Sequence, residues 1–158
     1  MKNLTFYSLL LSLLPLPVLA SASANQDQGF WYLQTSVYTR HFSPDSRHDN
    51  HQELIGIERN EATGLAWGAA TFDNSFSQRS YYAYAGLRLD NDNYPVYLKL
   101  TGGLLQGYRG EYKDKIPFNH FGIAPVIIPS LGTHYGPLAV ELVLLGNSAG
   151  MITAGVRL

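Results

Sequence analysis

Tyr81-Tyr82-Ala83-Tyr84-Ala85-Gly86-Leu87-Arg88-Leu89 alternates with a period of two. One face carries Tyr81, Ala83, Ala85, Leu87 and Leu89; the other carries Tyr82, Tyr84, Gly86 and Arg88. Successive side chains point to opposite sides of a strand, so this stretch predicts a two-faced strand over 80–90. The same pattern recurs on the C-terminal side. Val96, Leu98 and Leu100 oppose Tyr97, Lys99, Thr101 and Gly103. Leu138, Val140, Leu142 and Leu144 oppose Ala139, Glu141, Val143 and Leu145. Ile152, Ala154, Val156 and Leu158 oppose Met151, Thr153, Gly155 and Arg157.

The periodicity and the turn residues together predict eight strands, at 30–40, 52–60, 64–73, 80–90, 94–106, 120–134, 138–146 and 149–158. Two architectures suit such strands, a soluble sandwich and an all-β, eight-stranded antiparallel outer-membrane barrel. The connections favour the barrel. Even connections are short turns: Asn60-Glu61-Ala62-Thr63, Asp90-Asn91-Asp92-Asn93 and Tyr135-Gly136-Pro137. Odd connections are long at 41–51, 74–79 and 107–119, and short only near Asn147-Ser148. Short turns on one rim and long loops on the other is the outer-membrane pattern. Most spans also meet the roughly 9–11 residues a strand needs to cross a bilayer. Eight strands leave an interior filled by side chains or by one small ligand, not a wide aqueous pore.

Composition narrows the function. Of 158 residues only 15% are charged, against roughly 25% in ordinary globular chains. Eleven Lys and Arg against twelve Asp and Glu argue against a nucleic-acid partner. Without cysteine there is no disulfide, thiolate metal site or Cys nucleophile. Lys2, the apolar run Leu4 to Leu19 and the small residues Ala20-Ser21-Ala22-Ser23-Ala24 read as a secretory signal peptide over 1–24, leaving a barrel domain over 25–158. Pro15 and Pro17 argue against a membrane-anchoring helix there.

Barrel topology gathers the odd connections on one outer rim. It therefore brings His41, at the end of the first strand, near Asn74 and Ser75, at the end of the third. An imidazole within reach of a hydroxyl is a base–nucleophile pair, and an amide can orient the ring. His48 and His51, with Asp45 and Asp49, form an H-x-x-H group in a loop without helical period, which reads as solvated rather than as a zinc site. Arg109, Lys113 and Lys115 cluster in the third long loop and suit phosphate. Gly86 stands on the inward face, where a glycine marks either packing or a close approach by ligand. Pro125 and Pro129 cannot donate to a ladder, so they predict a bulge or a lateral opening in the sixth strand.

Several of these stretches are similar to the lipid A palmitoyltransferase family, PagP. They are Tyr38-Thr39-Arg40-His41-Phe42, Gly64-Leu65-Ala66-Trp67 leading to Phe72-Asp73-Asn74-Ser75-Phe76, Tyr84-Ala85-Gly86, and the run from Ile123 to Pro137 with its Tyr135-Gly136-Pro137 end. The resemblance implies a monomeric enzyme of the cell outer membrane, without cofactor or metal. It would transfer a fatty acyl chain from a membrane glycerophospholipid to lipid A. The family's essential His falls on His41 and its Asp-Ser pair on Asn74-Ser75. Its chain-measuring glycine falls on Gly86, and a gate proline on Pro129, with Leu145 at the partner position. Catalysis is thus expected of His41, Asn74 and Ser75, and substrate contact of Tyr84, Gly86, Arg109 and Pro129. The inward face is expected to form a narrow well, dry in its lower half, for one acyl chain. The alternative is a non-enzymatic barrel, structural or passing a small solute.

Overall fold

The computed structural model describes residues 28–42 and 53–158. The expected signal peptide and the His48/His51 loop lie outside them. The strands are β1 (Phe30–His41), β2 (Ile55–Asn60), β3 (Leu65–Asp73), β4 (Arg79–Asp90), β5 (Val96–Gln106), β6 (Ile123–Tyr135), β7 (Leu138–Leu145) and β8 (Ala149–Arg157). Each pairs antiparallel with its neighbours in chain order, and β8 returns to β1 to close an eight-stranded barrel. Three starts differ from expectation by more than one residue. β2 begins at Ile55 rather than 52. β5 begins at Val96, after Pro95 has turned the chain. β6 begins at Ile123 because His120 and Ile123 close a turn over 121–122.

The outward faces form an apolar belt. Leu33, Ile57, Leu87, Leu89, Leu98, Leu100, Leu104, Ile127, Leu131, Val140 and Leu142 are all exposed. Outward-facing charge on the strands is confined to the rims, at Arg59 beside the short turns and at Arg40, Asp73 and Arg79 beside the long connections. Aromatic residues flank the belt: Trp31, Trp67, Tyr94 and Tyr135 toward the short turns, Tyr38, Phe42 and Tyr81 toward the long connections. An apolar band between two aromatic girdles is the exterior a bilayer selects. A water-facing sandwich would alternate in the opposite sense.

The lumen divides into two halves. Toward the short turns it is polar and full. Lys99 Nζ bonds Glu58 Oε2 at 2.9 Å and Glu141 Oε1 at 2.8 Å, tying β5 to β2 and β7 across the barrel. Tyr84 donates to Glu58 at 2.8 Å, Tyr97 to Glu141 at 2.9 Å, and Asn60 to Glu58 at 2.9 Å. The tyrosines lie flat on the wall, over positions that carry no side chain. A Cβ at Gly132 would strike the Tyr97 ring, and one at Gly155 the Tyr32 ring. Toward the long connections the inward residues are mainly apolar: Ala70, Phe72, Leu105, Ala124, Val126, Ile128, Val143, Leu145 and Met151. The expected dry region is therefore in the upper half; the lower half is closed by an ion network.

The wall is not evenly sewn. β6 pairs with β5 from Thr133 to Ile123 without interruption. With β7 it pairs only from Ser130 to Tyr135. Leu144 and Leu145 of β7 pair with β8 alone. Pro125 and Pro129 have the same parity, and their β5 register is unbroken, so the donors they lack are missing from the β7 side. The prolines do not break the strand; they open one seam in its upper half.

Candidate active site

The β3–β4 connection is built by one amide. Asn74 is fully buried. Its Oδ1 accepts the backbone N–H of Phe76 at 2.9 Å and of Gln78 at 3.1 Å, while Nδ2 donates to Ser80 Oγ at 3.1 Å. Its backbone closes the turn with Ser77 and Gln78, each at 2.9 Å. Asn and Asp favour such turns because the side chain mimics a backbone acceptor. The expectation that this amide orients the imidazole gives way to another role: its oxygen is taken up by backbone donors, and it acts on Ser75 by shaping the turn. Asp73, the neighbouring acid, pairs with Arg79 at 3.2 Å.

Ser75 projects from that turn to His41. His41 Nε2 and Ser75 Oγ lie 2.6 Å apart, across 34 residues of sequence. The phenol of Tyr108, in the connection after β5, lies beside this hydroxyl. Burial raises the Tyr108 phenol above its ordinary value, and the neighbouring Ser75 hydroxyl works in the opposite direction. A hydroxyl has one proton and two lone pairs. If Ser75 gives its proton to His41, it meets Tyr108 as an acceptor, and the phenol then holds the hydroxyl in the sense a general base requires.

Packing fixes the third long connection against the turn. Phe76 stacks on Tyr112 with centroids 4.0 Å apart and meets Tyr108 edge-on at 6.2 Å. Gln78 Nε2 donates to Arg109 O at 3.4 Å, and Arg109 N donates to Gln78 Oε1 at 3.1 Å. A short 3-10 helix, Gly110–Lys115, follows and carries Lys113 and Lys115. Arg109 is exposed in this connection, its backbone held by the Gln78 side chain. Tyr108 was not legible in the sequence; an aromatic in an aperiodic loop has no signal of its own.

The other expected contacts lie elsewhere. Tyr84 belongs to the lower ion network through Glu58 and stacks on Tyr82 at 4.8 Å. It lines a closed polar region and does not face the upper slot. Gly86 pairs with Thr101, and a Cβ there would strike the Leu100 carbonyl and the Thr101 Cα. The packing reading of this glycine is the one the geometry supports: it lets β4 and β5 backbones approach. Pro129 faces outward on the open seam. Below the ion network a cavity of about 720 Å³ opens at the short-turn rim, lined among others by Arg88, Asp90, His134 and Arg157. His134 thus stands in a polar mouth. Among the described residues no group of three or more His, Cys, Asp or Glu gathers as a metal ion needs.

No family model matches the chain, and no curated protein matches it. Among solved structures it is similar to the outer membrane protein Ail of Yersinia pestis, whose backbone was determined in a phospholipid bilayer nanodisc. The identity is 12%, the match covers 83% of this chain and 100% of that one, and the TM-score is 0.45. The barrel assignment stands on the strand order of this chain itself.

Proposed function

We propose that the protein is an outer-membrane acyltransferase that moves a fatty acyl chain from a glycerophospholipid to lipid A. The observation that carries this reading is the 2.6 Å contact of His41 with Ser75 at the long-connection rim, directly above the apolar half of the lumen. The long connections face outward, as in barrels of this type. The β6–β7 seam supports sideways entry of an acyl chain from the outer leaflet, since a chain inserted end-on would carry its headgroup through the loops.

His41 takes the proton of the attacking hydroxyl, that of Ser75 or of the acceptor itself. The new ester bond forms, the donor's carbonyl–oxygen bond breaks, and the leaving lysophospholipid oxygen recovers a proton from His41. Where Ser75 attacks first, a second round follows in which the acceptor hydroxyl, deprotonated by His41, takes the acyl group from the seryl ester and Ser75 leaves with the proton. Tyr108 holds the Ser75 hydroxyl, and Arg109, Lys113 and Lys115 offer phosphate contacts at the rim. The acyl chain leaves other hydrocarbon to enter the slot, so affinity is small and selectivity comes from fit, about 1–3 kcal/mol per mismatched methylene.

Mass spectrometry of lipid A from cells carrying the wild-type gene, a His41→Ala gene or no gene tests the proposal. One added acyl chain with the wild type alone supports it. Identical spectra in all three, with the protein present in the outer membrane, favour a non-enzymatic structural barrel. Loss of at least about a hundredfold in acyl transfer is expected for His41→Ala and Ser75→Ala in detergent, the scale of a missing general base. Retained heat-modifiable gel migration will show that both variants fold.

A further inference from the structure

At the top of β6 the chain reverses over Phe121-Gly122, with His120 and Ile123 exchanging backbone bonds of 2.9 and 3.0 Å. Both central residues have positive φ, 56° at Phe121 and 82° at Gly122, the type I′ pattern. Such turns take Asn, Asp or Gly at the first position; a bulky L-residue is strained there. Phe121 is also fully exposed, at 104% of its reference area. Phe118, three residues earlier, repeats both features, with φ 60° and 76% exposure. Two aromatic rings thus occupy left-handed positions that water-facing loops give to small polar residues.

Position resolves the conflict. Ile123 pairs with Gln106, and Gln106 with Tyr81, so the turn stands at the level of the upper aromatic girdle. Directly below, Ile123, Pro125, Ile127 and Pro129 continue the apolar belt along the seam that lacks β7. A ring projecting outward at this height meets lipid, not water. We infer that Phe121, with Phe118 beside it in sequence, is a lipid-inserted wedge that anchors the free upper edge of β6 in the outer leaflet, at the mouth of the seam. The inference rests on the membrane setting proposed above and not on acyl transfer. Its partner is the ester-level region of a bilayer: apolar enough for a ring, and next to the headgroup zone.

The test uses the full-length mature chain in phosphatidylcholine vesicles with brominated acyl chains. Trp31 and Trp67 in the wild type are the control: quenching of their emission by bromine shows an inserted barrel, and its absence would undo the membrane setting itself. In a variant with Trp31→Phe, Trp67→Phe and Phe121→Trp, the new indole should be quenched by bromines near the ester end and shielded from aqueous iodide. Iodide quenching without bromine quenching would overturn the wedge. Phe121→Asn supplies the residue the turn itself prefers. In vesicles it should raise amide exchange at Ile123, Ala124 and Val126 on the order of tenfold, as loss of part of a buried Phe implies. Unchanged exchange in a barrel that still shows heat-modifiable migration would count against the anchor.

Discussion

Ser75 sits between two ring systems, and its chemistry depends on which way one hydrogen points. Tyr108→Phe keeps the edge contact with Phe76 and removes only the phenol oxygen. Transfer should fall about tenfold in kcat with KM unchanged, the scale of a lost hydrogen bond at about 1.4 kcal/mol. An equal rise in KM would mean that the phenol binds substrate instead. Parity of connections made the meeting of His41 and Ser75 legible in the sequence: both end an odd-numbered strand, so both reach one rim. Tyr108 escaped because its place is set by tertiary packing through Phe76, Tyr112 and Gln78, which no local pattern encodes. Asn74 was found but assigned to the wrong neighbour, since a side-chain amide reads alike whether it serves a ring or a turn.

Strand spacing was readable from period two, and most boundaries moved by only one to three residues. The pattern says which way a residue faces, not what waits opposite. Gly86 illustrates the gap. The family resemblance implied a measuring role, whereas the β5 backbone is its close neighbour. Gly86→Ala should therefore lower the thermal unfolding midpoint in detergent, by the roughly 1–3 kcal/mol that overpacking costs. Unaltered stability with a shortened preferred acyl chain would restore the measuring role. The seam makes the opposite kind of forecast. Pro125→Val with Pro129→Val returns two donors to the β7 side. Pairing should then extend upward, amide exchange at Leu144 and Leu145 should slow, and acyl transfer should drop while folding improves.

Across the molecule, the half-and-half lumen separates an apolar chamber from a polar floor. Lys99, Glu58 and Glu141 are 41 and 42 residues apart, and their meeting depends on how far the strands shear around the barrel. Alternation set Lys99 and Glu141 opposite the apolar faces of their strands without revealing that they touch, and Glu58 was assigned no face. Lys99→Met leaves two carboxylates facing each other without their cation. It should cost roughly 3–5 kcal/mol, as unpairing a buried charge does, read as a lower midpoint in urea. The double replacement Glu58→Gln with Glu141→Gln in the same background should recover part of that loss. The tie also bears on how the molecule is made. Its three charges arrive on non-neighbouring segments, so none is neutralised while the sheet is still an open ribbon. A half-curled ribbon would drag bare ions through oil; curling and crossing must therefore happen together, with stalled chains waiting at the water's edge.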